Sequence, residues 1–243
     1  MKILHQFLTG RSGALVYLAE HNNVVGVYKT NINNTKNIAE LSKKIPFPSP
    51  EIYEITEDSI FMEYIDGEPI KNVLLNSDNR MISHITNYIC EYINFSLSTT
   101  DGIKDFSDVV SNKIKQLSPW ISDDKFHGIQ VTHPKTIVHG DFTFDNLIYR
   151  NGKIYMIDFS PTVFDSIYYD INKLRQDLTG RWFVRNEQSP DKFKLQCDKL
   201  YNNISTEFPD IFHDATYNLM IARLLPYCEK NIYDTGYIMN MIK

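Results

Sequence analysis

A cationic excess is missing from this chain: 25 Lys and Arg stand against 30 Asp and Glu, a net charge of -5. That balance argues against a nucleic-acid surface, whose affinity would rest on phosphate neutralisation. Any phosphate site must then be local, built from a few placed cations. Cysteine is scarce as well. Cys90, Cys197 and Cys228 are odd in number, far apart and without CxxC or Cys/His spacing. This excludes a disulfide framework and a structural zinc site, and predicts reduced thiols in the core. No run approaches the roughly 18 apolar residues of a membrane span, and Met1 to Gly10 contains no signal-like apolar core. These absences predict a soluble, cytoplasmic protein that binds neither nucleic acid nor membrane. Repeats and low-complexity tracts are also lacking.

The chain does have core-forming residues: 42% are hydrophobic, with 15 Tyr and 14 Phe among the 243. Ala14-Leu-Val-Tyr-Leu and Val24-Val-Gly-Val-Tyr read as adjacent strands across a turn at Glu20-His-Asn-Asn. A short helix is predicted from Thr35 to Lys44, ended by Pro46, Pro48 and Pro50. Strand runs follow at Ile52-Tyr-Glu-Ile and from Ser59 to Tyr64. Beyond Asp66-Gly67 the pattern becomes helical, with Ile82, Ile85, Ile89 and Ile93 on one stripe. A hairpin turning at Asn151-Gly152 joins Asn146-Leu-Ile-Tyr to Lys153-Ile-Tyr-Met-Ile. Further helices are expected to start near Asp165, Ser189, Asp210 and Asn231. The fold class is α+β. It comprises a small antiparallel β lobe over residues 1–65 and a larger, mainly helical lobe over 66–243, with a ligand cleft between them.

Chemistry concentrates in Ile137-Val-His-Gly-Asp-Phe-Thr-Phe-Asp-Asn-Leu-Ile and the following Met156-Ile-Asp-Phe. Phosphoryl transfer needs a carboxylate that orients a hydroxyl nucleophile, and hard oxygen ligands that hold Mg²⁺ on the phosphates. Asp141 and Asn146 lie five apart, and Asp158 follows twelve later. The hairpin between the last two can return Asp158 towards Asn146. In this reading Asp141 is the base, and Asn146 and Asp158 hold the metal.

His139-Gly140-Asp141, then Asn146, then Ile157-Asp158-Phe159 resembles the aminoglycoside phosphotransferase and choline kinase-like branch of the protein-kinase-like superfamily. The resemblance implies a two-lobed kinase fold, ATP or GTP as phosphate donor, and Mg²⁺. It implies a phosphate-covering loop at Thr9 to Ala14, with Gly10, Ser12 and Gly13 presenting backbone N–H groups, although the third glycine of GxGxxG is absent and a plain hairpin turn is the alternative. Lys29 is similar to the strand lysine that pairs the phosphates. Glu40 becomes its ion-pair partner, or else an exposed helix carboxylate. Glu63, Tyr64 and Ile65 fall in the hinge that meets the adenine edge. Asp170 falls where the family braces its catalytic loop, a role compatible with a helix first-turn acid. His139 would pack and hydrogen-bond that loop.

The departures are informative. Gly140 stands where protein kinases carry the Arg of HRD, Ser160 replaces the Gly of DFG, and only eleven residues separate Asp158 from Asp170. No long activation segment fits there, which favours a small hydroxyl acceptor over a protein. In Lys173-Leu-Arg-Gln-Asp-Leu-Thr-Gly-Arg-Trp-Phe-Val-Arg the acceptor candidates are Asp177, Arg181, Trp182 and Arg185, against a solvated helix face and a core Trp. The segment is similar to family members associated with bacterial surface-polysaccharide pathways, which implies a sugar or amino-alcohol acceptor. A nucleotide-binding pseudokinase and a protein kinase are the rival readings. Oligomeric state stays open.

Overall fold

A computed structural model of the chain describes residues 1–7, 13–185, 193–228 and 232–242. The N-terminal sheet is built from β1 (Lys2–Gln6), β2 (Leu15–His21), β3 (Val24–Thr30), β4 (Ile52–Ile55) and β5 (Ser59–Glu63), all antiparallel, in the order β1-β2-β3-β5-β4. The β2–β3 turn is Asn22-Asn23, both at positive φ (52° and 63°). Asn tolerates that conformation better than most residues, and a two-residue turn of this hand matches the strand twist. Strand β1 had no signal in the sequence because every one of its residues is exposed.

Between β3 and β4 lies helix α1 (Thr35–Lys44), with the predicted bounds; Ile45 turns extended just before Pro46. The chain then enters the helical part through β6 (Glu68–Pro69) and α2 (Ile70–Leu75). Helix α3 (Asn79–Ser98) is capped by Asp78, whose carboxylate accepts the Met81 N–H at 2.9 Å. Its stripe of Ile82, Ile85, Ile89 and Ile93 is at most 3% exposed.

A short pair, β7 (Ile103–Asp105) and β8 (Thr132–Pro134), brackets α4 (Ser107–Leu117). The predicted hairpin is β9 (Leu147–Arg150) with β10 (Lys153–Met156), and it forms a three-stranded sheet in the order β10-β9-β6. It is also attached to the N-terminal part: the Met156 N–H donates to the Pro48 carbonyl at 2.8 Å.

Helices α5 (Ile167–Leu178), α6 (Lys194–Glu207), α7 (Asp214–Ala222) and α8 (Ile232–Met241) complete the chain. The starts expected near Ser189 and Asn231 fall on residues outside those described. All of α5 except Tyr168 is buried. It separates two apolar clusters, one gathering α2, α3 and α6, the other α4, α7 and Trp182. The three cysteines are buried, with no disulfide among them. No helix among the described residues is long and apolar enough to cross a membrane.

Candidate active site

The segment from His139 to Asn146 runs between α3 and α5 and is hydrogen-bonded from both sides. Asp170, 1% exposed, accepts the Tyr92 O–H at 2.7 Å and the N–H groups of Gly140 and Phe142, each at 3.3 Å. The Tyr92 oxygen in turn accepts the His139 N–H at 2.7 Å. Burial, then the neighbouring Asp170, pushes the Tyr92 phenol well above its ordinary value, so it stays a donor.

His139 is fully buried, and its ring ties two loops together. Nε2 donates to the Ile157 carbonyl at 2.8 Å, while Nδ1 accepts the Asp141 N–H at 3.2 Å, which sets the tautomer. Burial lowers its pKa and keeps the ring neutral. The Ser160 N–H closes the link by donating to the His139 carbonyl at 2.9 Å.

Gly140 has φ +86°, and a Cβ there would lie 1.7 Å from the Ser160 carbonyl oxygen. The residue that replaces the kinase Arg is thus required by close backbone approach. Asp158, next to this contact, itself adopts φ 60°, an uncommon conformation that aspartate tolerates better than most residues.

Asp141, Asn146, Asp158 and Lys29 come together. The Asn146 side-chain amide donates to the Asp141 carbonyl at 2.7 Å and to its carboxylate at 3.3 Å. Lys29 on β3 forms an ion pair with Asp158. An apolar cavity of about 360 Å³ opens beside them, walled by Val16, Val27, Met62, Ile148 and Ile157 and edged by Glu63, Tyr64 and Ile65. Gly13 has φ +77°, and its carbonyl accepts from the Asn31 amide at 3.0 Å; Gly10 and Ser12 lie outside the described residues.

Glu40 does not meet Lys29. α1 buries Thr35 and Ala39, and the next residue along a helix is turned about 100° away. Glu40 is exposed and lines a separate groove with Lys44 and Lys135.

Asp141 lines a polar cavity of about 550 Å³, which shares Asn146 and Asp158 with the apolar one. Trp182 and Arg185 line it. The Arg185 guanidinium sits 3.8 Å from the Trp182 ring centre and donates from Nε to Asp234 at 3.1 Å. Asp177 and Arg181 do not line this cavity. Arg181 follows α5 in a left-handed conformation, φ 53°. Asp177 is 1% exposed and accepts the Phe144 N–H at 2.8 Å. It lies seven residues after Asp170, two turns along the same helix face, so both carboxyls hold the segment from Gly140 to Phe144.

Burial, then Asp145 and Asp141, raises the Asp177 carboxyl well above the carboxylate range. A raised folded-state pKa gives stability that is full below the unfolded value of about 3.9 and is lost as pH rises through the folded one. Asp177→Asn keeps an acceptor for Phe144 without the charge. Its melting temperature is therefore expected to gain on the wild type between pH 5 and pH 8, read by thermal melts across that range.

Sequence reasoning missed Arg223 and Lys173. Arg223, just past α7, donates from Nη2 to the Asp141 carboxylate at 2.9 Å. Lys173 is buried, bonds the Gly140 carbonyl and lies 3.8 Å from Asp170. Burial alone would raise the Asp141 carboxyl, but Arg223 and then Lys173 outweigh it and hold the group below the usual carboxylate range. Arg223 is 82 residues from Asp141, so no local motif announces it.

The donor set fits Mg²⁺. With its nitrogen committed to Asp141, Asn146 has its amide oxygen left for a cation, beside the Asp158 carboxylate. No group of three or more His, Cys, Asp or Glu among the described residues could hold a metal alone. Two hard oxygen donors suit a cation that completes its shell with phosphate and water.

Residues 106–191 match the model of the phosphotransferase enzyme family. The BUD32 subunit of the EKC/KEOPS complex of Enterocytozoon bieneusi is 28% identical over 138 residues, 57% of this chain and 55% of that protein. The chain thus spans about half the length of that relative. Among solved structures, a thermostable mutant of aminoglycoside phosphotransferase APH(4)-Ia matches with TM-score 0.65 at 13% identity, over 100% of this chain and 94% of that one. ADP-bound aminoglycoside phosphotransferase APH(2'')-Ib gives 0.59 at 16%, over 98% and 93%. A glucosamine kinase gives 0.57 at 10%, over 93% and 74%. The chain shares the fold of these kinases, and its stretch 106–191 matches the phosphotransferase enzyme family.

Proposed function

We propose that the chain is an ATP-dependent phosphotransferase that moves the γ-phosphate to a hydroxyl of a small molecule, a sugar or amino alcohol. The observation that carries this is that Asn146 and Asp158 line both an apolar cavity edged by residues 63–65 and a polar cavity, large enough for an acceptor, that Asp141 also lines. Residues 1–65 would form the nucleotide-binding lobe, and 66–243 would carry the catalytic segment, metal ligands and acceptor site. Backbone around Gly13 and the Lys29 ammonium hold phosphate oxygens, and residues 63–65 meet the base. Asn146 and Asp158 would hold Mg²⁺, which supplies charge neutralisation on the phosphates when bound. Asp141 orients the acceptor hydroxyl and takes its proton. Catalysis in this class is mainly positioning and electrostatics.

The decisive experiment is ADP release from Mg·ATP across sugars, choline, ethanolamine and related alcohols, with phosphorus NMR on any product. Absence of turnover with retained nucleotide binding would favour the pseudokinase reading. Asp158→Ala is expected to weaken Mg-dependent ATP binding by about tenfold or more, measured by calorimetry with and without metal; unchanged binding would remove Asp158 from the metal site.

A second reading, an atypical kinase with a protein acceptor, is favoured by the likeness to a probable serine/threonine-protein kinase, the BUD32 homologue of Archaeoglobus fulgidus, 26% identical over 129 residues. Against it stands the eleven-residue span from Asp158 to Asp170, too short for a peptide-docking shelf. Labelling of a protein but of no small molecule would establish it.

A further inference from the structure

Four cations, Lys113, Lys173, Arg185 and Arg223, line the polar cavity against three carboxylates, Asp141, Asp145 and Asp158, in a chain whose net charge is -5. Two of them have structural employment: Arg185 with Asp234 and Trp182, Lys173 with Gly140 and Asp170. The other two are under-partnered among the described residues. Lys113, half-buried on α4, has a contact of 3.4 Å with the Gln116 amide oxygen on its own helix. Arg223 gives Nη2 to Asp141, but its Nε is buried and meets no partner among the described residues.

These two charges also feel each other. Burial, then Arg223, pushes the Lys113 ammonium down, and burial followed by Arg223 does the same to Lys173. Like charges gathered in a partly buried cavity repel, and an anion among them relieves that repulsion. A guanidinium fork beside an ammonium suits phosphate or carboxylate oxygens. Neither Lys113 nor Arg223 lines the apolar cavity at the hinge, so the anion they fit lies on the acceptor side.

We propose that Lys113 and Arg223 form a subsite for an anionic group of the acceptor, which makes the acceptor an anionic hydroxy compound, a sugar phosphate or sugar acid. The proposal rests on the phosphotransferase reading and narrows it, since an amino alcohol or a polycationic aminoglycoside would add positive charge to this cluster. In the step itself the acceptor hydroxyl oxygen bonds to the γ-phosphorus, and the bond from that phosphorus to the β–γ bridging oxygen breaks. ADP leaves with the electron pair, and the hydroxyl proton passes to Asp141. Arg223 has five N–H donors, enough to hold the anion and stay beside Asp141.

The test is ADP release from Mg·ATP with matched acceptors: glycerol against glycerol 3-phosphate, glucose against glucose 6-phosphate and gluconate, with ethanolamine and choline alongside. The anionic member of at least one pair is expected to show a KM about tenfold or more below its neutral partner. Lys113→Gln and Arg223→Gln should each raise that KM about tenfold while the KM for ATP stays within about twofold. Arg223→Lys should recover part of the loss, and thermal melts should show Lys113→Gln folded. Preference for a neutral or cationic acceptor overturns the subsite and leaves the phosphotransferase reading standing. A KM for ATP that rises in step with that for the acceptor overturns it equally. If no acceptor of any charge supports ADP release, the phosphotransferase reading fails and the subsite falls with it.

Discussion

Asp141→Asn is expected to lower acceptor-dependent turnover by about 10²–10⁴-fold, with Mg·ATP affinity within about twofold of the wild type. The amide can still accept from Arg223 and leave the loop in place, but it cannot take a proton from the acceptor hydroxyl. Single-turnover ADP release separates this from a binding defect, and nucleotide titration gives the second number. Because Arg223 and Lys173 hold the Asp141 carboxyl low, the wild-type base is ionised throughout pH 5 to 8. Its loss should therefore depress activity evenly across that range. Turnover that survives in the variant would remove Asp141 from the proton-transfer role.

Gly140→Ala should do comparable damage by a different route. The new methyl would meet the Ser160 carbonyl oxygen at 1.7 Å on a backbone at φ +86°, so the segments carrying Asp141 and Asp158 must part. Displacing reacting groups by an ångström can cost about 10²-fold in rate, and the added strain should lower stability by roughly 3 kcal/mol. Gly152→Ala is the control. Its φ is +78° but no atom lies within 4 Å of the added Cβ, so about 1 kcal/mol of backbone strain is expected with activity nearly intact. Equal effects in the two variants would mean that the close approach at Gly140 contributes nothing beyond its conformation.

The candidate site was legible because its residues are nearly contiguous: His139, Asp141, Asn146 and Asp158 sit on one loop and one hairpin, and Asn151-Gly152 announces the turn that brings them together. Helix α1 was legible because prolines end it, and α3 because four isoleucines share a face. Arg223 was not, since its meeting with Asp141 depends on how α7 packs against α5. Asp177 holds the Phe144 N–H instead of lining the polar cavity for a related reason. A polar stretch looks like ligand recognition in one dimension, whereas helical period places Asp170 and Asp177 on one buried face. Glu40 fails similarly: it is in the expected helix but on the side away from Lys29.

The hairpin that separates Asn146 from Asp158 is fastened twice. Its β9 strand pairs with β6, the first strand after the chain leaves the N-terminal sheet, and its β10 strand bonds Pro48 on the linker between α1 and β4. One anchorage is to the start of the helical part, the other to the N-terminal part. A displacement of the N-terminal part that carried Pro48 away from Met156 would break the second of them. Asn146 and Asp158 flank this hairpin, so the element that sets their spacing is held by both parts of the chain.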